Sequence, residues 1–297
     1  MSHATPASPA EGAPQPSSEP VVPDLDDPAV DPADVARAAA LRIAEISGIE
    51  RHDVALVLGS GWGGAAAQLG EVVSEIGAED VPGFSRSGVP GHAGTLSSVA
   101  YTDAGGTRRH ALVLGARTHY YENKGVRRVA HGVRTAAAAG AKVMVLTNGA
   151  GGIKSHWTPG TVSLISDHIN LTADSPLEGA TFVDLTDLYA ARLRELARTV
   201  DPSLDEGVYV QFRGPHYESP AEVRFAKTIG GHIVGMSTAL EAIAAREAGM
   251  EVLGLSLITN LAAGISPTPL SHEEVIAAGR EAEERIGRLL ADIAVRL

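Results

Sequence analysis

A chain of 297 residues, 44% hydrophobic and 20% charged, has the length for one large domain or two small ones and can bury a core without disulfide or metal staples. It carries no cysteine, which excludes disulfides, thiolate nucleophiles and cysteine-ligated metal centres, and its net charge of −12 argues against a nucleic-acid or anionic-membrane partner. No run approaches the ~20 apolar residues that span a bilayer, and Arg37 is the first basic residue, too late for a secretory leader, so a cytoplasmic protein is expected.

In chain order, residues 1–36 hold seven acidic side chains and no basic ones, and eight of the 17 prolines lie at or before Pro32. So little apolar surface cannot offset the entropy of ordering the chain. Residues 1–30 are therefore expected to be a disordered tail and 31–297 the folded domain. Asp31-Pro32 reads as a helix N-cap with proline at the first helical position, and apolar residues at helical spacing (Val35, Ala39, Ile43) carry that helix to Gly48. Val54–Leu58 is an apolar run of strand length that enters a glycine-rich turn. Val99–Thr102 and His110–Leu114 flank Asp103-Ala104-Gly105-Gly106, a hairpin signal. A helix near Arg127–Ala139 follows, then strands at Val143–Thr147 and Val162–Ile165, a helix over Tyr189–Val200 and a strand at Val208–Phe212. Ser219-Pro220-Ala221-Glu222 is a capping box that opens a helix. The strand His232–Gly235, a helix from Thr238 and the strand Val252–Thr259 come next. The C-terminal helix opens on Ser271-His272-Glu273-Glu274. Strands alternating with helices, plus one hairpin, predict a single α/β domain whose mixed, largely buried sheet is flanked by helices.

Gly59-Ser60-Gly61-Trp62-Gly63-Gly64 satisfies the dinucleotide-binding pattern G-x-G-x-x-G, with Glu79 about 20 residues on. The context fails, because Val81-Pro82-Gly83 stands where a second parallel strand should end in the acidic residue. Two readings stay open for the turn: a phosphate cradle of glycine N–H groups and the Ser60 hydroxyl, or an ordinary tight turn.

A longer series of motifs follows. Leu58-Gly59-Ser60-Gly61 is succeeded by Val89-Pro90-Gly91-His92-Ala93-Gly94, Arg117-Thr118-His119-Tyr120-Tyr121-Glu122 and Thr147-Asn148-Gly149-Ala150-Gly151-Gly152. Then come Ser166-Asp167-His168-Ile169-Asn170, Gly214-Pro215-His216-Tyr217-Glu218, Val234-Gly235-Met236-Ser237-Thr238, Leu257-Ile258-Thr259-Asn260 and Ser271-His272-Glu273-Glu274-Val275. Over about residues 35–297 this ordered set resembles the homotrimeric, 6-oxopurine-specific purine nucleoside phosphorylases.

The resemblance implies a nucleoside phosphorylase-like fold. It also implies phosphorolysis, in which inorganic phosphate attacks C1′ of a purine nucleoside and releases free base and pentose 1-phosphate. Such a reaction needs phosphate held below the sugar and negative charge stabilised on the departing purine. For phosphate the resemblance implies Ser60, His92, Arg117, His119, the backbone of Gly149, and Ser237. The planar guanidinium of Arg117 suits a dianion, and Arg117→Ala is expected to cripple phosphate use while sparing the fold. For the sugar it implies Tyr121, the backbone of Met236 and His272. For the base it implies stacking on Tyr217, acceptance by Glu218, and donation from the Asn260 amide to O6 or N7. Asn260, His92 and Glu218 would be the catalytic groups. Relatives often carry alanine at Gly149 and phenylalanine at Tyr217, changes that remove no required group. Phe182 is the best match for a residue that closes a neighbouring subunit's sugar pocket, and His168 reads as structural.

Taken singly, Arg117 reads equally as a surface salt bridge, His92 and His119 as core histidines, and His272 as a capping group; only the set points to a site. No metal-ligand spacing occurs, so no metal or cofactor is expected, with phosphate as co-substrate in a homotrimer. The alternatives are a 5′-methylthioadenosine phosphorylase-like enzyme, against which Asn260 argues, and a non-catalytic nucleoside- or phosphate-binding protein. A nicotinamide-dependent dehydrogenase rests on the glycine turn alone.

Overall fold

Asp31 and Gly48 bracket the first helix, α1 (Pro32–Ser47), as their residue types predict. The Asp31 carboxylate accepts from the Ala33 N–H, and Gly48, at φ +70°, donates its N–H to the Ala44 carbonyl. This computed structural model describes residues 23–85, 94–266 and 269–297, and the folded chain includes residues that the composition assigns to the tail. Residues 23–30, expected in the tail, are packed on the domain. Leu25 is 1% exposed, Arg127 Nη1 donates to the carbonyls of Leu25, Asp27 and Val30, and Arg128 pairs with Asp26 at 2.5 Å. One buried leucine and two arginines of a neighbouring helix suffice to anchor a stretch whose average composition is that of a linker.

Among the described residues nine strands follow: β1 (Val54–Val57), β2 (Glu71–Gly77), β3 (Thr95–Thr102), β4 (Arg108–Leu114), β5 (Val143–Gly152), β6 (Val162–Asn170), β7 (Asp205–Gln211), β8 (Ile233–Gly235) and β9 (Glu251–Leu261). The remaining helices are α2 (Ala66–Leu69), α3 (Val126–Ala138), α4 (Ala191–Val200), α5 (Pro220–Thr228), α6 (Ala239–Glu247) and α7 (His272–Ala294). The strands form one mixed sheet in the order β2-β3-β4-β1-β5-β8-β7-β6-β9, and β9 pairs back onto β5. Five strands therefore close into a ring, and β2–β3–β4–β1 extend from it. The predicted hairpin is the antiparallel pair β3–β4, with the Asp103 carboxylate accepting from the Gly105 and Thr107 N–H groups in its turn.

Alternation along the strands sends side chains into two cores. Ala55 and Val57 of β1 face α1, α3 and α6, whereas Val54 and Leu56 face α4 and α7, giving helices on both sides of the sheet. At ~1.5–3 kcal/mol per fully buried large aliphatic side chain, these two layers are the main stabilising term.

Two departures bear on the site. β2 is an edge strand, unexpected because Val72 and Val73 are both exposed and break the alternation. β5 does not stop at Thr147 but continues through Asn148 to Gly152. It pairs in parallel with β1 over residues 143–146 and with β9 along its whole length, and Gly151 and Gly152 also pair antiparallel with β8. The glycines that read as a break are the part of the strand that bends from the open sheet into the ring.

Candidate active site

A cavity of about 410 Å³ opens where β5 makes that bend. Its wall draws on the carboxyl ends of β1, β4, β5 and β9, where open α/β sheets place ligand sites, and on the segments after β7 and β8. Ser60, Arg117, His119, Tyr121, Gly149, Tyr217, Glu218, Met236, Ser237 and Asn260, all expected from the sequence, line it together. The β-register explains part of this convergence, since Gly151 on β5 lies opposite both Val234 on β8 and Asn260 on β9.

One half of the cavity is already densely bonded. Arg117, 4% exposed, directs Nε and Nη2 at the Glu241 carboxylate, with the closest contact 2.6 Å. Its Nη1 donates to the Thr147 carbonyl at 2.8 Å and its Nη2 also reaches Thr238 Oγ1 at 3.2 Å. The fork expected to face phosphate alone is thus half of a buried ion pair. Beside it, His119 stacks on Tyr121 with ring centroids 4.9 Å apart, and its backbone N–H donates to Glu122 Oε1 at 2.7 Å. Burial alone would raise the Glu122 carboxyl, but hydrogen bonds from His119 and Lys124 hold it down at about 2. Ser237 precedes α6, whose first N–H groups are held by Gln211: its Oε1 accepts from Ala239 at 2.8 Å and Leu240 at 3.3 Å.

The other half is open. Glu218 is 6% exposed, and its Oε1 is buried with no hydrogen-bond partner among the described residues. Burial pushes its carboxyl up. Asn260, 7% exposed, lines the same cavity and its amide makes no hydrogen bond to another described residue. Tyr217 keeps 37% exposure at the rim. A buried carboxylate oxygen left without a partner among the described residues is unfavourable unless a ligand supplies one.

His92 lies outside the described residues, as does the side chain of His272, although the helix that His272 begins is present and is capped by Ser271, whose Oγ accepts from Glu274 N–H. Phe182 does not line this cavity; it is 94% exposed in the segment between β6 and α4. His168 is half-buried outside the cavity, its Nδ1 3.0 Å from the Tyr189 hydroxyl.

The glycine turn serves packing. A Cβ on Gly59 would stand 2.5 Å from the Thr147 carbonyl oxygen and 2.8 Å from Arg117 Nη1, and Gly61, at φ +85°, faces Gly279 of α7. The helix after it is only four residues long. Ser60 alone of this turn lines the cavity.

Glu241, Asn148, Gln211 and Glu122 were not anticipated. Two of them had a readable signal: Thr238 and Glu241 form a capping box, as do His119 and Glu122.

The family model described as "Phosphorylase superfamily" matches residues 53–294. The purine nucleoside phosphorylase of a Cellulomonas species is 65% identical over 280 residues, covering 94% of this chain and 99% of that protein. Isoform 2 of the purine nucleoside phosphorylase of Schistosoma mansoni, solved with cytosine and ribose-1-phosphate, superposes with a TM-score of 0.78 at 31% identity, covering 89% of this chain and 96% of that one. A Schistosoma mansoni purine nucleoside phosphorylase solved with inosine gives 0.77 at 29% identity, covering 88% and 96%.

Proposed function

The chain belongs to the phosphorylase superfamily, and from that membership and the polar groups of its cavity we propose that it catalyses phosphorolysis of 6-oxopurine nucleosides, with purine salvage as its metabolic role. Inosine or guanosine, or their 2′-deoxy forms, react with inorganic phosphate. A phosphate oxygen forms the new bond to C1′ while the C1′–N9 bond breaks, and the bonding pair leaves with the purine, which takes up a proton.

The observation that carries this reading is the buried Oε1 of Glu218, without a partner among the described residues, in the same cavity as the Asn260 amide. A 6-oxopurine offers an N1–H donor to the carboxylate and an O6/N7 acceptor edge to the amide. Charge accumulates on that edge as the bond breaks, so donation from Asn260 strengthens in the transition state and accelerates the reaction. Tyr217 supplies an apolar face for the ring, while Tyr121 and the Met236 backbone bound the sugar.

Phosphate belongs in the bonded half, between Ser60, Arg117, His119, the Gly149 backbone and Ser237. His92 and His272 complete the phosphate and sugar contacts in this reading. The reaction uses no metal or organic cofactor, and phosphate enters as co-substrate. The assembly is a homotrimer in which Phe182 covers a neighbour's sugar pocket; the 94% exposure of so large an apolar ring supports that placement. Among the described residues no helix is long and apolar enough to cross a membrane, and the working compartment is the cytoplasm.

Incubation with inosine, with and without phosphate, tests the reading. Phosphate-dependent release of hypoxanthine is expected. Release without phosphate would make the protein a hydrolase, and no release would leave a binding protein.

A further inference from the structure

Thr238 has a backbone conformation that β-branched residues almost never adopt. At φ +82° and ψ −51°, with the Ala239 N–H donating to the Ser237 carbonyl at 3.0 Å, it is the centre of a γ-turn of the strained kind. Glycine or asparagine would occupy such a position at less cost. Thr238 is fully buried and does not line the cavity. What the threonine adds is its hydroxyl, placed at a crossing of three side chains: Oγ1 lies 3.2 Å from Arg117 Nη2, 2.9 Å from Asn148 Nδ2 and 3.1 Å from Ser237 Oγ.

The roles at that crossing are fixed by chemistry. A guanidinium nitrogen only donates, and the Asn148 Nδ2 amide likewise donates. A hydroxyl has two acceptor sites and one hydrogen. With both acceptor sites of Thr238 taken, its own hydrogen is left for Ser237 Oγ, which must then accept. Ser237 lines the cavity, its backbone N–H donates to the Tyr209 hydroxyl at 3.3 Å, and its hydroxyl hydrogen has two directions open to it, the Tyr209 oxygen and the cavity. We propose that Thr238 is a positioning residue that orients the Ser237 hydroxyl as a hydrogen-bond donor toward the phosphate. The Arg117 charge polarises Thr238, Thr238 polarises Ser237, and the chain of donors ends on the anion. The clamp that keeps the strained turn in place is visible as well: Glu241 Oε2 accepts from the Thr238 N–H at 2.9 Å, and Gln211 Oε1 accepts from Ala239.

This inference rests on the phosphorolytic reading. The wild-type control separates the two: a wild type without phosphate-dependent purine release defeats the reading itself, before any variant is compared. Thr238→Val keeps the shape and removes the hydroxyl. It should raise KM for phosphate at least tenfold while KM for inosine stays within about twofold. Thr238→Ser, which restores the oxygen, should recover most of the loss. In a Ser237→Ala background Thr238→Val should add less than a further twofold, because its effect passes through Ser237. Should Thr238→Val not fold, Thr238→Gly removes the same hydroxyl, accepts the positive φ and is read the same way. A folded variant lacking the hydroxyl with an unchanged KM for phosphate overturns the proposal. So does a Thr238→Ser as impaired as Thr238→Val, or a pair of effects that simply multiply.

Discussion

The two halves of the cavity solve opposite problems. Around Arg117 the charged groups are matched within the protein: the guanidinium meets Glu241, Thr238 and the Thr147 carbonyl, although Asn148 Oδ1 and Gln211 Nε2 nearby are buried without a partner among the described residues. In the half that holds Glu218 and Asn260, Glu218 Oε1 is buried without a partner among the described residues. A small, symmetric dianion needs a rigid cage whose members cannot rearrange, because its affinity comes from pre-set geometry. A planar base needs a patterned edge, and that pattern discriminates only while its groups are committed to nothing else. The phosphate half therefore belongs to the folding energetics of the protein, whereas the base half stands apart from them and is unfavourable until filled.

The largest break in this contrast comes from Arg117→Ala. With Glu241 left as a charge 3% exposed and unpaired, the expected cost is about 3–5 kcal/mol of stability, beside loss of phosphate saturation. The fold is not spared, contrary to what the sequence alone suggests, because the residue is a buried ion-pair partner. Arg117→Leu combined with Glu241→Leu should recover much of the stability without recovering turnover. Denaturant melts alongside phosphate kinetics check both statements. A melt for Arg117→Ala superimposable on the wild type would show that the pair contributes nothing to the fold.

Next in size is base selection. Adenosine presents a 6-amino donor to the Asn260 N–H and an unprotonated N1 to Glu218. Two mismatched buried contacts at roughly 1–3 kcal/mol each would hold adenosine several orders of magnitude below inosine. In Asn260→Asp the carboxylate accepts from the amino group and repels the developing charge on O6, so the ratio of kcat/KM values should narrow sharply. Equal use of both nucleosides by the wild type, or full inosine preference in the variant, would remove Asn260 from base selection.

How much of this was legible in the sequence follows a physical divide. Local rules located α1 from Asp31 and Gly48, the hairpin from Asp103 to Gly106 and α5 from its capping box, because each depends on neighbours within a few residues. The groups that line the cavity came instead from the family resemblance of the ordered motif set, since no local rule singles them out. Missed features depend on contacts across the chain. β2 shows no alternation because only β3 covers its edge. Gly149–Gly152 looks like a strand break until β8 and β9 supply its partners. Residues 23–30 look unfoldable until Arg127 and Arg128 of α3 reach them. Glu241 and Gln211 contact neither nucleoside nor phosphate in the proposed reading, so reaction chemistry does not ask for them; only the packed structure shows them holding Arg117 and the start of α6.

The smallest effect has the most informative sign. Glu218 is a buried carboxylate with one oxygen unpartnered, and burial raises its pKa above the ordinary glutamate value of 4.5. For an acid raised on folding, the native state binds the proton more readily than the unfolded chain. Stability of the ligand-free protein should therefore rise as pH falls through the native pKa toward 4.5, and the ionised form should be a net cost at neutral pH. Glu218→Gln removes that charge. It should raise the melting temperature modestly at pH 7 without ligand, with the gain fading in acid, which is the reverse of the loss expected at Arg117. Turnover moves the other way. An ionised Glu218 accepts the purine N1–H through a charge-assisted bond, and a neutral amide accepts less strongly, so kcat/KM for inosine should fall about tenfold. The wild-type profile of kcat/KM against pH should lose activity on its acid side above pH 4.5, where Glu218 of the free enzyme gains its proton, and in Glu218→Gln that limb should move to lower pH or vanish. Thermal melts of the ligand-free protein between pH 5 and pH 8, paired with inosine kinetics over the same range, read both predictions. If Glu218→Gln melts lower than the wild type at pH 7, or its acid limb stays in place, Glu218 belongs to the structural half of the cavity and the contrast between the halves fails at its central residue.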